Sequence, residues 1–148
     1  GFCRAEQRIE LQHQMALAAG GTFVSRGWSG DTEHLTCLIK EALGHRGYAL
    51  VDVLQPCVSF NKMYSYDWLR PRVYKVQDEP GYDSGDKTAA FMRAQEWGDR
   101  IPMGILYRTE DVPAYEEQVP ALAAGPLVHQ PLRARTRGDY DSLKMEYV

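Results

Sequence analysis

The sequence predicts an α/β protein built on a parallel sheet with flanking helices. Two observations predict this class. A strand, a helix and a second strand follow one another between residues 22 and 54, which is the order of a right-handed βαβ unit. The second strand, YALVDVL at residues 48–54, is almost continuously apolar, as expected for a parallel strand that is covered on both faces.

The elements of the first half follow from periodicity and from helix boundary signals. Residues 9–19 are predicted to be a helix that ends at Gly20 and Gly21, and a short strand over residues 22–25 follows. Residues 32–43 form the clearest helix, with Ser29 or Asp31 as its N-cap. Its apolar stripe at spacings of three and four consists of Leu35, Leu38, Ile39, Ala42 and Leu43.

The chain changes character near Val76, and we therefore expect two regions, residues 1–76 and 77–148. The second region is predicted to contain a turn-rich stretch over residues 77–87, a helix, a strand, and a C-terminal extension interrupted by prolines. The ranges are 86–97 for the helix, 105–108 for the strand, 114–119 for a further helical segment, and 127–148 for an extended tail.

Composition and charge exclude several classes of protein. Hydrophobic residues make up 44% and charged residues 25% of the 148 residues, so the chain is neither disordered nor a small disulfide scaffold. The net charge of −3 does not favour a nucleic-acid partner, and no apolar run approaches the roughly 18 to 20 residues that span a membrane. Three cysteines without a pairing pattern indicate a reducing compartment, and we expect a cytoplasmic protein.

A search for chemistry-bearing motifs singles out Cys57. The sequence contains no Gly-rich phosphate loop, no nucleophile elbow and no self-contained zinc motif. The four histidines have no ligand spacing, so a structural or surface role is expected for each. Cys57 follows the buried strand and Pro56, where a thiolate can ligate a metal ion or a cluster. The alternative interpretation is a buried, inert thiol.

Three strings carry a resemblance to a known family. They are AGGTFVSRGWSGDTEHLTCLIKEALGHRGYALVDVLQPCVSFNK at residues 19–62, RVYKV at 72–76 and EWGDRIPMGILYR at 96–108. The chain resembles the C-terminal part of the beta subunit of 2-oxoacid:ferredoxin (flavodoxin) oxidoreductases. This resemblance implies that residues 1–76 are the C-terminal part of a thiamine-diphosphate-binding domain and that residues 77–148 are the family's C-terminal extension.

The resemblance also implies cofactors and partners for an intact enzyme. Such an enzyme uses thiamine diphosphate, Mg²⁺ and a [4Fe–4S] cluster to convert a 2-oxoacid and CoA into an acyl-CoA. Its partners are an alpha subunit and ferredoxin or flavodoxin. The family's Gly-Asp-Gly cofactor motif is not found here, and Cys57 is the one position that matches a cluster ligand. A [4Fe–4S] cluster normally takes four cysteines, so we expect the chain alone to hold none of these cofactors and to lack catalytic competence.

Two other functions stay open at this point. One is a non-enzymatic α/β module that binds another subunit, with Tyr64, Tyr66 and Trp68 as its contact surface. The other is a self-sufficient hydrolase or transferase that uses Ser29 or Cys57 as its nucleophile.

Overall fold

The computed structural model describes residues 3–110 and 112–130, together with residues 138, 141, 144 and 145. It divides into two compact units, Gly1–Tyr115 and Glu116–Val148. The elements are α1 (Cys3–Ala18), β1 (Phe23–Trp28), α2 (Thr32–Gly44), β2 (Ala49–Leu54), α3 (Tyr66–Leu69), β3 (Val73–Lys75), a 3₁₀ turn (Val76–Asp78), α4 (Lys87–Ala94), β4 (Ile101–Arg108), α5 (Tyr115–Gln118) and two further 3₁₀ turns, Pro120–Leu122 and Leu127–His129.

A four-stranded sheet in the order β2-β1-β4-β3 is the frame of the first unit. β1 and β2 run parallel, with Phe23 opposite Ala49 and Trp28 opposite Leu54. The predicted helix between them begins where the capping signal places it, because the carboxylate of Asp31 accepts a hydrogen bond from the N–H of His34 at 3.0 Å. The α/β class and the βαβ unit are therefore confirmed.

The sheet is mixed, which differs from the parallel sheet that the sequence predicts. β3 and β4 are also parallel to each other, but β4 runs antiparallel to β1. The sheet thus contains two parallel pairs that run in opposite directions, and β1 and β4 are the adjacent strands at its centre. A strand covered on both faces is apolar in either direction, so its composition does not encode its direction. The direction of β4 follows instead from the crossover through α4, which returns the chain parallel to β3.

Several boundaries in the second half differ from the predicted ones. β4 begins at Ile101 rather than at residue 105, and it includes Pro102. Proline is tolerated there because β1 pairs with β4 only from Gly104 onward, so a missing N–H at position 102 disturbs no bond to β1. The short elements α3 and β3 were not predicted. Residues 127–129 form a 3₁₀ turn rather than extended chain, and most of the predicted tail lies outside the described residues.

Two apolar clusters form the core of the first unit. One consists of Ala16, Leu17, Val24, Val76, Ala90, Ala94 and Leu106, and it fills the space among α1, α4 and the sheet. The other consists of Trp28, Leu54, Leu69, Ile101 and Met103. The sheet therefore has helices on both sides, since Gly27 approaches α2 at Leu35 and Leu38 while its neighbour Arg26 faces α1.

A buried polar trio joins α1 to the sheet. Arg26 on β1 is 0% exposed, and its Nη2 donates to His13 Nδ1 at 2.9 Å. Its Nε donates to Asp52 Oδ2 on β2 at 3.3 Å, and His13 Nε2 lies 3.5 Å from the same oxygen. Because a guanidinium can only donate, His13 must accept at Nδ1 and carry its proton on Nε2. Asp52, the single charged residue within β2, is thus hydrogen-bonded at the edge of the sheet.

The second unit contains two 3₁₀ turns that one side chain links. Gln130 Nε2 donates to the carbonyl oxygens of Ala121 and Gly125, each at 2.7 Å.

Across the part of the chain that the structure describes, no helix combines the length and the apolar character needed to cross a membrane. The division of the chain at residue 76 stays a prediction.

Candidate functional site

The loop of residues 55–64 leaves the carboxyl end of β2 and carries Cys57. The carbonyl of Leu54 still accepts from the N–H of Ser29 at 3.0 Å, and Pro56 then ends the strand because it has no N–H to donate. The N–H of Asn61 donates to the carbonyl of Cys57 at 3.0 Å, which closes a turn around the cysteine. Loops at this edge of an α/β sheet are where ligands usually bind.

Cys57 is an exposed free thiol with backbone donors around it. The N–H groups of Phe60, Ser59 and Asn61, in decreasing order of effect, donate toward its sulfur and lower the pKa of the thiol from its ordinary value. These donors favour the thiolate, which is the form that binds metals. The alternative interpretation of Cys57 as a buried, inert thiol is wrong. Cys37 on α2 is also an exposed free thiol.

The side chain of Asn61 holds the loop in shape. Its Oδ1 accepts hydrogen bonds from the N–H groups of Met63 at 3.0 Å and of Tyr64 at 3.2 Å. Asparagine is well suited to this position, because its side chain satisfies backbone groups that a sheet or helix would otherwise pair. The turn that presents Cys57 is therefore held by local hydrogen bonds on both sides of residue 61.

Apolar side chains in the same loop as Cys57 lie in solvent. Phe60 is 94% exposed, Val58 is 76% exposed, and Met63 is also mostly exposed. Scattered exposed apolar residues are ordinary, but these three lie in one short loop with an exposed thiol and form a local apolar patch.

Tyr64 at the end of the loop packs against two tryptophan rings. The rings of Tyr64 and Trp68 lie 4.8 Å apart, and Tyr64 also meets Trp97 edge-on at 5.9 Å. The side chains of Tyr64, Tyr66 and Trp68 are half-buried, and their role as a contact surface stays a prediction. A cavity of about 80 Å³ between the loop and Trp97 is smaller than the roughly 300 Å³ of ordinary cofactor sites.

A larger cavity of about 400 Å³ lies beside Trp28, between α2 and β3. Its charged groups include Asp31, Lys75 and Glu79. Lys75 Nζ is 3.2 Å from Asp31 Oδ2, and Arg100 Nη2 is 2.8 Å from Glu79 Oε1. Much of the charge at this cavity is thus already paired within the protein.

The nucleophile hypothesis finds no support in the geometry. Ser29 Oγ lies 3.1 Å from the hydroxyl of Tyr66, which is not the histidine or amine that usually activates a serine nucleophile. The cap of α2 is Asp31 rather than Ser29. Within the described residues, no group of three or more His, Cys, Asp or Glu side chains is placed to hold a metal ion.

Comparison with known proteins relates the chain to one family. A family model of the C terminal of the pyruvate ferredoxin oxidoreductase beta subunit matches residues 57–124. The chain is 41% identical to a 2-oxoacid:ferredoxin oxidoreductase subunit beta from a Sulfolobus species over 128 residues, which are 80% of this chain and 42% of that relative. It is 40% identical over 114 residues to the subunit beta from Saccharolobus solfataricus, covering 71% of this chain and 37% of the relative.

A solved structure supports the same relationship. It is a 2-oxoglutarate:ferredoxin oxidoreductase from Magnetococcus marinus with 2-oxoglutarate, coenzyme A and succinyl-CoA bound. The superposition has a TM-score of 0.67 and 25% sequence identity, and it covers 89% of this chain and 43% of that chain. The chain thus spans about two fifths of the length of the curated relatives and the solved chain that it matches.

Proposed function

The chain belongs to the beta-subunit family of 2-oxoacid:ferredoxin oxidoreductases, and on this premise we propose that it acts as the C-terminal part of such a subunit. The proposed enzyme oxidatively decarboxylates a 2-oxoacid, forms an acyl-CoA and passes electrons to ferredoxin or flavodoxin. Its remaining parts are the rest of a beta subunit and an alpha subunit. The observation that carries the proposal is the exposed Cys57 thiol, with backbone N–H groups facing it, at the carboxyl end of β2.

The residues of the loop fit one ligand position of a [4Fe–4S] cluster. Such a cluster needs thiolates, and hydrogen bonds from backbone N–H groups to the sulfur help to set its reduction potential. Cys57 offers both, since its thiol is exposed and its pKa is lowered by neighbouring N–H groups. The described residues place no further cysteine, histidine or carboxylate cluster around it. We therefore assign Cys57 one ligand position, with the other ligands supplied by the preceding part of a beta subunit.

The described residues do not fit a thiamine diphosphate site. The cavity at the Cys57 loop is too small, and the larger cavity carries carboxylates, which disfavour a diphosphate. When bound to the intact enzyme, thiamine diphosphate with Mg²⁺ supplies the carbanion chemistry, and the protein orients it. In this proposal the chain supplies one cysteine ligand to the cluster. Phe60 and Val58, which are otherwise in solvent, shield the cluster from water.

The test compares two cysteine variants in a reconstituted enzyme. The chain is co-produced with the alpha subunit and the N-terminal part of the Sulfolobus beta subunit, and iron and acid-labile sulfide are measured anaerobically. The Cys57→Ser enzyme should contain much less iron than the unmodified enzyme. Its rate of viologen reduction with 2-oxoacid and CoA should be at least tenfold lower.

The matched control is Cys37→Ser, because Cys37 is also an exposed free thiol. This variant should keep the iron content and activity of the unmodified chain. Full iron retention in Cys57→Ser would remove Cys57 from the role of ligand.

The exposed apolar side chains around Cys57 also suit a second function, a module that only binds a partner subunit. The same reconstitution distinguishes the two functions. A stable complex without iron and without viologen reduction would favour the binding module over the oxidoreductase subunit.

A further inference from the structure

Asn61 joins two consecutive turns of the loop that carries Cys57. Its N–H donates to the carbonyl of Cys57 at 3.0 Å and closes the first turn. Its side-chain Oδ1 accepts from the N–H groups of Met63 at 3.0 Å and Tyr64 at 3.2 Å, which begins the second turn. Asparagine is among the best residues for such a cap, because its oxygen accepts from N–H groups two and three residues further on. One residue therefore holds both turns together.

Cys57 occupies the same kind of position at the start of the first turn. The N–H groups of Ser59 and Phe60, two and three residues after the cysteine, donate toward its sulfur. Ser65 takes this position once more, since its Oγ accepts from the N–H of Trp68 at 3.2 Å where α3 begins. Caps thus recur every four residues, at positions 57, 61 and 65, and the first of them is a thiol.

Within the described residues, hydrogen bonds rather than packing hold the first turn. Ser59 is exposed, and Phe60 is 94% exposed. At one end the turn is attached to the buried Pro56. At the other end it is attached through Asn61 to Tyr64, whose ring packs against two tryptophans. Loss of the Asn61 oxygen would release this second attachment, and the N–H groups of the turn would no longer be held toward the sulfur.

We infer that Asn61 is a positioning residue for the sulfur of Cys57. Its side chain holds the turn whose N–H groups donate to that sulfur, and it thereby helps to set the reduction potential of a [4Fe–4S] cluster bound there. The consequence for the cluster rests on the proposed function, whereas the effect on the free thiol does not. Hydrogen bonds to a cluster sulfur stabilise the reduced state, which carries more negative charge, so they raise the reduction potential.

The first measurement needs only this chain. Anaerobic alkylation by iodoacetamide is followed across pH, and mass spectrometry of the peptide that contains Cys57 separates it from the other cysteines. In Asn61→Ala the midpoint of the pH profile should move to higher pH. Alkylation at pH 7 should slow by about threefold, because a smaller fraction of the thiol is ionised. Hydrogen exchange should become faster at the amides of Met63 and Tyr64, which shows that the cap is lost.

Two further variants separate positioning from a general loosening of the loop. Asn61→Ser keeps an uncharged acceptor for the same N–H groups and should restore the pH profile of the unmodified chain. The matched control, Ser65→Ala, removes the next cap with its bond to the N–H of Trp68 and should leave the profile unchanged. If Asn61→Ala does not fold, Asn61→Gly lacks the same oxygen and takes its place.

The second measurement uses the reconstituted enzyme described above and a redox titration followed by electron paramagnetic resonance. Asn61→Ala should keep the iron content, because Cys57 is intact. Its cluster should titrate at a potential about 59 mV more negative, which is a tenfold change in the equilibrium of a one-electron reduction. Asn61→Ser and Ser65→Ala should both match the unmodified enzyme.

The possible outcomes separate this inference from the proposed function. An unchanged alkylation profile in Asn61→Ala, an equal shift in Ser65→Ala, or a shift that Asn61→Ser does not reverse would each overturn the inference. A cluster potential that is the same with and without the Asn61 side chain would also overturn it. If the alkylation profile shifts as expected but no cluster assembles in any of the enzymes, the proposed function fails while the positioning of the thiol by Asn61 stands.

Discussion

Protonation linked to His13 should lower the stability of this protein at mildly acidic pH. Burial, and to a smaller extent the positive charge of Arg26, together lower the pKa of His13 from its ordinary value of 6.5 to about 3. The structural reason is that Nδ1 already accepts from Arg26 Nη2 at 2.9 Å, so a second proton would face a donor. Because the pKa is lower in the folded protein than in the unfolded chain, the contribution of His13 to stability is complete above pH 6.5 and is lost as the pH falls toward 3.

The magnitude follows from the two pKa values. With 6.5 in the unfolded chain and about 3 in the folded protein, lowering the pH from 7 to 5 should reduce the free energy of unfolding by about 2 kcal/mol through His13 alone. Burial raises the pKa of Asp52, which opposes this loss because the folded protein then binds the proton of that carboxyl more tightly. A comparison with a variant that keeps Asp52 removes this opposing contribution.

The variant for this comparison is His13→Asn. Its side-chain oxygen can accept from Arg26 near the position of Nδ1, but it cannot gain a proton in this range. Urea unfolding followed by tryptophan fluorescence at pH 7, 6 and 5 measures both proteins. The stability difference between the unmodified chain and His13→Asn should shrink by about 2 kcal/mol between pH 7 and pH 5. A difference that is independent of pH would refute the assignment of a buried, neutral imidazole.

Three further variants test other contacts by the same urea unfolding at pH 7. Asp52→Ala leaves the fully buried guanidinium of Arg26 without its carboxylate and should cost about 3 kcal/mol, whereas equal stability of the two proteins would contradict a buried pair. Gly104→Ala should cost about 1 to 2 kcal/mol because φ is +115° there, while the control Gly44→Ala, with open space and no positive φ, should cost nothing. Asp86→Ala should cost about 1 kcal/mol because this carboxylate caps α4; an unchanged midpoint would show that the cap contributes nothing.

The parts of the fold that the sequence predicts are those set by local chemistry. The N-cap at Asp31, the start of α2 at Thr32 and the end of β2 before Pro56 depend on hydrogen bonds between near neighbours. The same holds for the position of Cys57 in a loop, because Pro56 ends the strand wherever the rest of the sheet lies.

The parts that the sequence does not predict depend on contacts between distant residues. Arg26 appears in FVSRGW as one charge in a short strand, and only the approach of His13 and Asp52 explains its burial. The antiparallel pairing of β4 with β1 depends on how two βαβ units meet, which periodicity does not report. A basic residue inside an apolar strand, with a second charge in the next strand, is a signal that points to such a pair.

The buried guanidinium also has a consequence for how this region assembles. Arginine keeps its positive charge throughout the pH range in which proteins fold. Water therefore cannot leave β1 at Arg26 until a carboxylate and a second acceptor are hydrogen-bonded to the guanidinium. These partners come from β2 and from α1, on the two sides of Arg26 in the chain. Attachment of the first helix and exclusion of water from the sheet beneath it are therefore coupled, and a chain without that helix would keep water beside the guanidinium.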